Sequence, residues 1–184
     1  MNPAQRAFDK AMREFRTSLK DAALYSQILK TTSIDEVYDL TDKLQFTQGA
    51  HLADLSRIQP YLNRLKAYTG VIDTFVQAKP EILALIWGPI KLLLQWTSNV
   101  SASLSALANT IEEIGALLPE FDQAARLFGS GPHVNDVLAL LFQDILDFYL
   151  IAVKFFSMKS KRAFFKEARR IKTRNPNVNP RVSN

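Results

Sequence analysis

The chain has 184 residues, 47% of them hydrophobic and 22% charged, enough to bury one real core and too few for two comfortable domains. With no cysteine it has no disulfide framework, no thiolate nucleophile and no cysteine metal site, a composition in keeping with a reducing compartment. The net charge of +5 is unevenly spread: residues 154–184 carry ten Lys or Arg against the single acid Glu167, so the first 153 residues are mildly acidic. The opening MNPAQRAFDKAMREF lacks an apolar leader core, and its Asp9 and Glu14 argue against a mitochondrial presequence. The expected location is the cytoplasm.

Helical periodicity governs almost everything before the basic end. Pro3 suits a first helical position, and Phe8, Met12, Phe15, Leu19 and Ala22 recur in steps of four and three, the spacing of one helix face. Lys10, Arg13, Arg16 and Lys20 lie off that stripe, and Thr31 and Thr32 interrupt it. Ser33-Ile34-Asp35-Glu36 then reads as a capping box: Ser33 is the cap, Glu36 reaches back to a free N–H, and a second helix follows. A third is expected from about Leu52 to Gln77, with Leu55, Ile58, Leu62, Leu65, Ile72 and Phe75 inward, Pro60 marking a kink or a break, and Pro80 closing it.

Residues 80–96, PEILALIWGPIKLLLQW, are the most informative stretch, an apolar run with a Gly88-Pro89 break at the centre. The apolar part, Ile82 to Leu94, is about 20 Å long as a helix, against about 30 Å for a bilayer core, so it is a buried helix and not a membrane span. A proline inside a helix removes a hydrogen bond and clashes with the carbonyl four residues back, so Pro89 either kinks a long helix or starts a new one. The pattern predicts a fourth helix from Pro80 or Pro89 to Leu118. It is apolar nearly all round save a stripe of Lys91, Gln95, Ser98, Asn99, Ser105, Asn109 and Glu112, as a central helix would be. A short helix after Pro119, a Gly129–Pro132 loop and a last long helix from about His133 to Lys172 complete the reading. The last helix is dense in Leu, Ile, Phe and Tyr, with Asp136, Gln143, Asp144 and Asp147 as its polar exceptions. No alternating β pattern competes. The fold class is therefore all-α: a bundle of about five or six helices with long, nearly antiparallel members, occupying residues 1–160, and a basic helix end and flexible tail or linker over residues 161–184.

Chemistry-bearing patterns are scarce. His51 and His133 are the two histidines, and neither falls in a metal-ligand spacing; His51 with Asp54 offers two ligands, short of a site. Gly129-Ser130-Gly131 lacks the phosphate-loop spacing and reads as a turn. Asp144 and Asp147, one helical turn apart, read as a solvated stripe or as partners for Lys91 rather than as an acid–base pair. No catalytic, cofactor or metal residue is assigned, and no enzyme is expected. Lys91, alone in its apolar run, either finds a carboxylate, with Asp144 and Asp147 the best candidates, or snorkels to water.

The block VQAKPEILALIWGPIKLLLQWTSNVSASLSALANTIEEIGALLPEFDQAARLF, followed by DVLALLFQDILDFYLIAVKFF, resembles the helical N-terminal domain of fungal STAND receptors, NOD-like proteins that place such a domain ahead of a NACHT nucleotide-binding module. Pro80, the Trp87-Gly88 pair, the Ile90-Lys91-Leu92-Leu93-Leu94 run and the helix ending at Leu118-Pro119 carry the likeness over roughly residues 35–160; Pro89 departs from it. The resemblance implies a non-enzymatic signalling or effector module in cell-death or incompatibility-type defence, set by the receptor's oligomeric state. Two mechanisms fit. In one, the first helix leaves the bundle and acts on an anionic membrane through Phe8, Met12, Phe15 and Leu19 with Arg13 and Arg16 beside them, so that the cytoplasmic protein becomes membrane-associated on activation. In the other, the bundle is an adaptor that binds itself or a helical partner. Nucleic-acid binding by Lys154–Arg174 is the weakest alternative, since no groove-reading motif accompanies the charge.

Overall fold

A computed structural model describes residues 3–47, 52–76, 79–98, 101–118 and 132–174. Among them the chain forms seven helices and no strand: α1 Pro3–Leu19, α2 Ala22–Ile28, α3 Asp35–Thr47, α4 Leu52–Val76, α5 Pro80–Thr97, α6 Ser101–Leu117 and α7 Pro132–Arg174. The all-α bundle expected from periodicity is the fold. The expected short helix after Pro119, the turn at 129–131, His51 and the tail beyond Arg174 lie outside the described residues, as do the side chains of Phe75 and of residues 159–174.

Two expected helices divide. The first ends at Leu19 because Lys20 turns to φ 56°, a left-handed conformation that L side chains rarely adopt, and Asp21 then caps α2 by accepting the Leu24 N–H at 2.9 Å. Ala22, read as the end of the apolar stripe, is exposed at the start of the new helix. The second division falls after Thr97, where the expected fourth helix was to run on to Leu118. There the Thr97 hydroxyl donates to the Leu93 carbonyl at 2.8 Å and the Ser98 hydroxyl to the Gln95 carbonyl at 3.0 Å, bonds of the kind that Thr74 and Thr110 also make inside continuous helices. α6 begins at Ser101.

The prolines behave unequally. Pro80 occupies the first turn of α5, where its missing N–H costs nothing. Pro60 lies within α4 on an exposed position, and Pro89 lies within α5 fully surrounded, yet both helices are continuous. An internal proline costs about 3 kcal/mol; in α5 the burial of twelve of its residues offsets it. Those residues, from Ile82 to Thr97, face neighbours on every side, because α1, α2, α3, α6 and α7 all pack on α5. Trp87 is buried and Trp96 half-buried against the core.

At Gly88 the packing is very close. A Cβ built there falls inside the Ile28 carbonyl oxygen and 2.9 Å from Ile28 Cγ2, so the backbone of α5 lies directly against the end of α2. Around α5, α4 pairs with α6 and α1 with α7. Arg57 of α4 bonds Glu112 of α6, and Arg64 donates to the Leu118 carbonyl at 2.6 Å, satisfying a free group at the end of α6. Buried tyrosines join α4 to α7: Tyr61 donates to the Tyr149 hydroxyl at 3.1 Å, and Tyr68 to the Leu138 carbonyl at 2.6 Å.

The glycines give a paired test. Gly88→Ala should destabilise by about 2 kcal/mol or more, because the methyl meets backbone that cannot move aside. Gly70→Ala, in α4 with nothing near its Cβ position, should stabilise by about 0.5–1 kcal/mol through helix propensity alone. Urea denaturation of the two variants reads both signs; a neutral Gly88→Ala contradicts the close approach.

Candidate functional site

Lys91 is the one charged side chain in the buried run, and α5 turns it toward the start of α3. Its ammonium meets the Glu36 carboxylate, Nζ to Oε2 2.7 Å, with the two side chains 25% and 36% exposed. The other Glu36 oxygen accepts the Thr32 N–H at 3.2 Å, while Ser33 Oγ accepts the Asp35 N–H at 3.0 Å. The capping motif is therefore present but displaced, since α3 begins at Asp35 and Glu36 holds the chain one residue before Ser33. One carboxylate both closes a helix start and pairs a lysine on another helix.

Lys91 does not pair with Asp144 or Asp147. Helix α7 packs through Leu138, Phe142, Leu146 and Tyr149, all buried, and that leaves both aspartates on its exposed side, where Asp147 accepts from Gln143 Nε2 at 3.1 Å. The acidic residues at i and i+3 are thus a solvent face of α7. The hydrogen bond from Lys91 holds the Glu36 carboxyl below the usual carboxylate range, against the opposing effect of partial burial and with help from the Thr32 N–H.

Beside this pair an open cleft of about 420 Å³ lies between α2 and α5, lined by Ser26, Gln27, Lys30, Thr31, Lys91 and Gln95. Its walls offer hydroxyl, amide and ammonium groups. They hold no histidine or carboxylate to serve as a general base. Among the described residues no group of three His, Asp or Glu side chains is placed to hold a metal ion, and His133 is exposed at the start of α7.

The apolar face of α1 is docked. Phe8, Phe15 and Leu19 are buried and Met12 is half-buried; the Phe8 ring lies 5.0 Å from Phe142 of α7, and Phe15 lies 6.5 Å from Tyr25 of α2. Arg13 and Arg16 are on the outside, with Arg16 stacked 5.5 Å over Tyr25. Lys79, just before α5, grips Asp9 at 3.0 Å. No described helix is long and apolar enough to cross a membrane.

Two kinds of residue escaped the sequence reading. Glu36 was absorbed by its cap and so was never weighed as the partner of Lys91. Tyr61 and Tyr68 are not among the inward residues read for α4, although each follows an inward residue, Ile58 and Leu65, by three positions. Burial raises the pKa of both hydroxyls.

Because the folded-state pKa of Glu36 is depressed, its contribution to stability is present above the unfolded carboxylate value of about 4.3 and is lost as pH falls through the lower folded value. Stability of the wild type should therefore fall more steeply below about pH 4 than that of Glu36→Gln. A double-mutant cycle at neutral pH should give coupling between Lys91 and Glu36 and none between Lys91 and Asp144; coupling to Asp144 contradicts this geometry.

Comparison with known proteins adds a family and no chemistry. No curated protein and no solved structure matches the chain. A family model described as Domain of unknown function (DUF7708) matches residues 56–173, from the first turns of α4 to the end of α7, with α1 to α3 lying before the matched segment. The match covers well over half of the 184 residues, and the chain belongs to the DUF7708 family.

Proposed function

We propose that this chain is a non-enzymatic signalling or effector domain of the kind that fungal STAND receptors carry at their N-terminus, working in cell-death or incompatibility-type defence. The resemblance of the Pro80–Leu94 block to that domain motivates the reading. The observation that carries the mechanism is the state of α1, an amphipathic helix whose apolar side is buried on the bundle and whose Arg13 and Arg16 face outward. In this account the docked helix is the resting form. Oligomerisation behind the domain releases it in many copies, and the exposed Phe8, Met12, Phe15 and Leu19 then enter an anionic membrane interface. The action is interfacial. The resting location is cytoplasmic.

A second reading, an adaptor or oligomerisation module without membrane activity, is favoured by a different observation: the solvent face of α7 carries Val137, Leu140, Ile151 and Met158. Large apolar side chains in a row at the surface mark contact sites more often than they decorate a solvated face.

The membrane reading is tested with the chain fused to an oligomerising scaffold and mixed with dye-filled anionic vesicles. Leakage should appear only in the oligomer. The double substitution Arg13→Glu and Arg16→Glu, at exposed positions and with the fold checked by circular dichroism, should reduce it, and raising salt should lower the leakage caused by the unsubstituted oligomer without lowering that of the substituted one. An oligomer that leaves vesicles sealed contradicts the membrane action of α1 and leaves the adaptor reading as the account.

A further inference from the structure

Along α7 the exposed positions include 137, 140, 144, 147, 151, 154 and 158. Alternating steps of three and four make one unbroken heptad seam, about 31 Å long. A solvated face normally fills such a line with polar side chains. Here Val137, Leu140, Ile151 and Met158 are 62%, 67%, 69% and 60% exposed, with Asp144 and Asp147 between the first and second apolar pairs and Lys154 inside the second. Neither Asp144 nor Lys154 forms an ion pair among the described residues.

The order of charges along this seam selects its occupant. A parallel copy in register sets Asp144 on Asp144 and Lys154 on Lys154, which is repulsive at both ends. Antiparallel registers that keep seam on seam differ by seven residues. The one reflected about position 149 sets Leu140 opposite Met158, Asp144 opposite Lys154 and Asp147 opposite Ile151, with Lys154 one turn from Asp147. The register seven residues to one side places Asp144 against Asp147; the one to the other side places Lys154 against Ile151 and Asp147 against Met158. We propose that this face of α7 is the interface between two copies of the chain, packed antiparallel about position 149, with a Leu140–Met158 contact and an Asp144–Lys154 ion pair made twice by the two-fold symmetry.

The contact is one helix face wide, so the dimer of the isolated chain is weak and strengthens when a tether holds copies together. It supplies a surface for the oligomerisation reading and rests on that reading only for its use. Because it is measured on the chain alone, its failure leaves the membrane reading of α1 untouched.

Sedimentation equilibrium on the full chain, from low micromolar to the highest concentration it tolerates, should show a reversible monomer–dimer equilibrium. Asp144→Lys and Lys154→Glu should each weaken the dimer by roughly tenfold, since each places two like-charge pairs in the seam. An equimolar mixture of the two variants should associate like the wild type, because the mixed dimer restores both ion pairs. The absence of native cysteine permits an independent readout: a Leu140→Cys chain mixed with a Met158→Cys chain should cross-link between the unlike copies in preference to Leu140→Cys with itself. A chain that is monomeric at every concentration, a dimer indifferent to both charge reversals, or preferential cross-linking of Leu140→Cys with itself would each overturn the proposal.

Discussion

At Gly88 the backbone of α5 lies against the Ile28 carbonyl, with no room between them for even a methyl group. This contact sets the position of α2, which is only seven residues long and has Ile28 as its buried anchor. Helix α2 in turn fixes the point where α1 ends and α3 begins, because Lys20 and Asp21 form the turn on one side and Thr31 to Ile34 the turn on the other. A helix that accepts neighbours on most of its faces must be apolar on most of them. The Ile82–Leu94 composition follows from that requirement without any appeal to a membrane, and the internal proline persists because the surrounding helices hold its segment in place.

A polar group on so buried a helix carries a cost unless it is paired. Lys91 meets that condition by reaching the start of α3, and the pair does more than neutralise a charge. Glu36 is also the residue that ties down the Thr32 N–H, so the ion pair fastens the connection between α2 and α3 to the central helix. The adjoining cleft has polar walls because it is bounded by the same connection and by the polar stripe of α5. Its hydroxyl, amide and ammonium groups can hold a ligand by hydrogen bonds.

How much of this was legible in the sequence depends on range. The helical character of the chain, the apolar Ile82–Leu94 run and the Phe8–Leu19 stripe of α1 are periodic signals within a single element, and they read correctly. The division at Lys20-Asp21 is local too, but it rests on a left-handed lysine and on Asp21 as a cap, which helix periodicity does not register. The partner of Lys91 was misread for a different reason. Asp144 and Asp147 share a helix with the richest apolar surface, yet the apolar surface that brings α7 to the core turns those aspartates away from it. Pairing across helices depends on which face docks, and a single helix wheel does not say which of two apolar lines will do so; α7 has one line buried and another exposed.

The proposed membrane action requires α1 to leave a bundle whose fixed part is α5. Its ties are one apolar face, the Lys79–Asp9 ion pair and the stacking of Arg16 on Tyr25, whereas α5 is enclosed by five helices. Native-state hydrogen exchange at increasing sub-denaturing urea separates the two directly. Amides of α5 from Ile86 to Leu94 should exchange only through global unfolding, while those of α1 from Phe8 to Leu19 should open at a lower free energy with a smaller urea dependence. Exchange of α1 at the global free energy, together with α5, would contradict a releasable first helix.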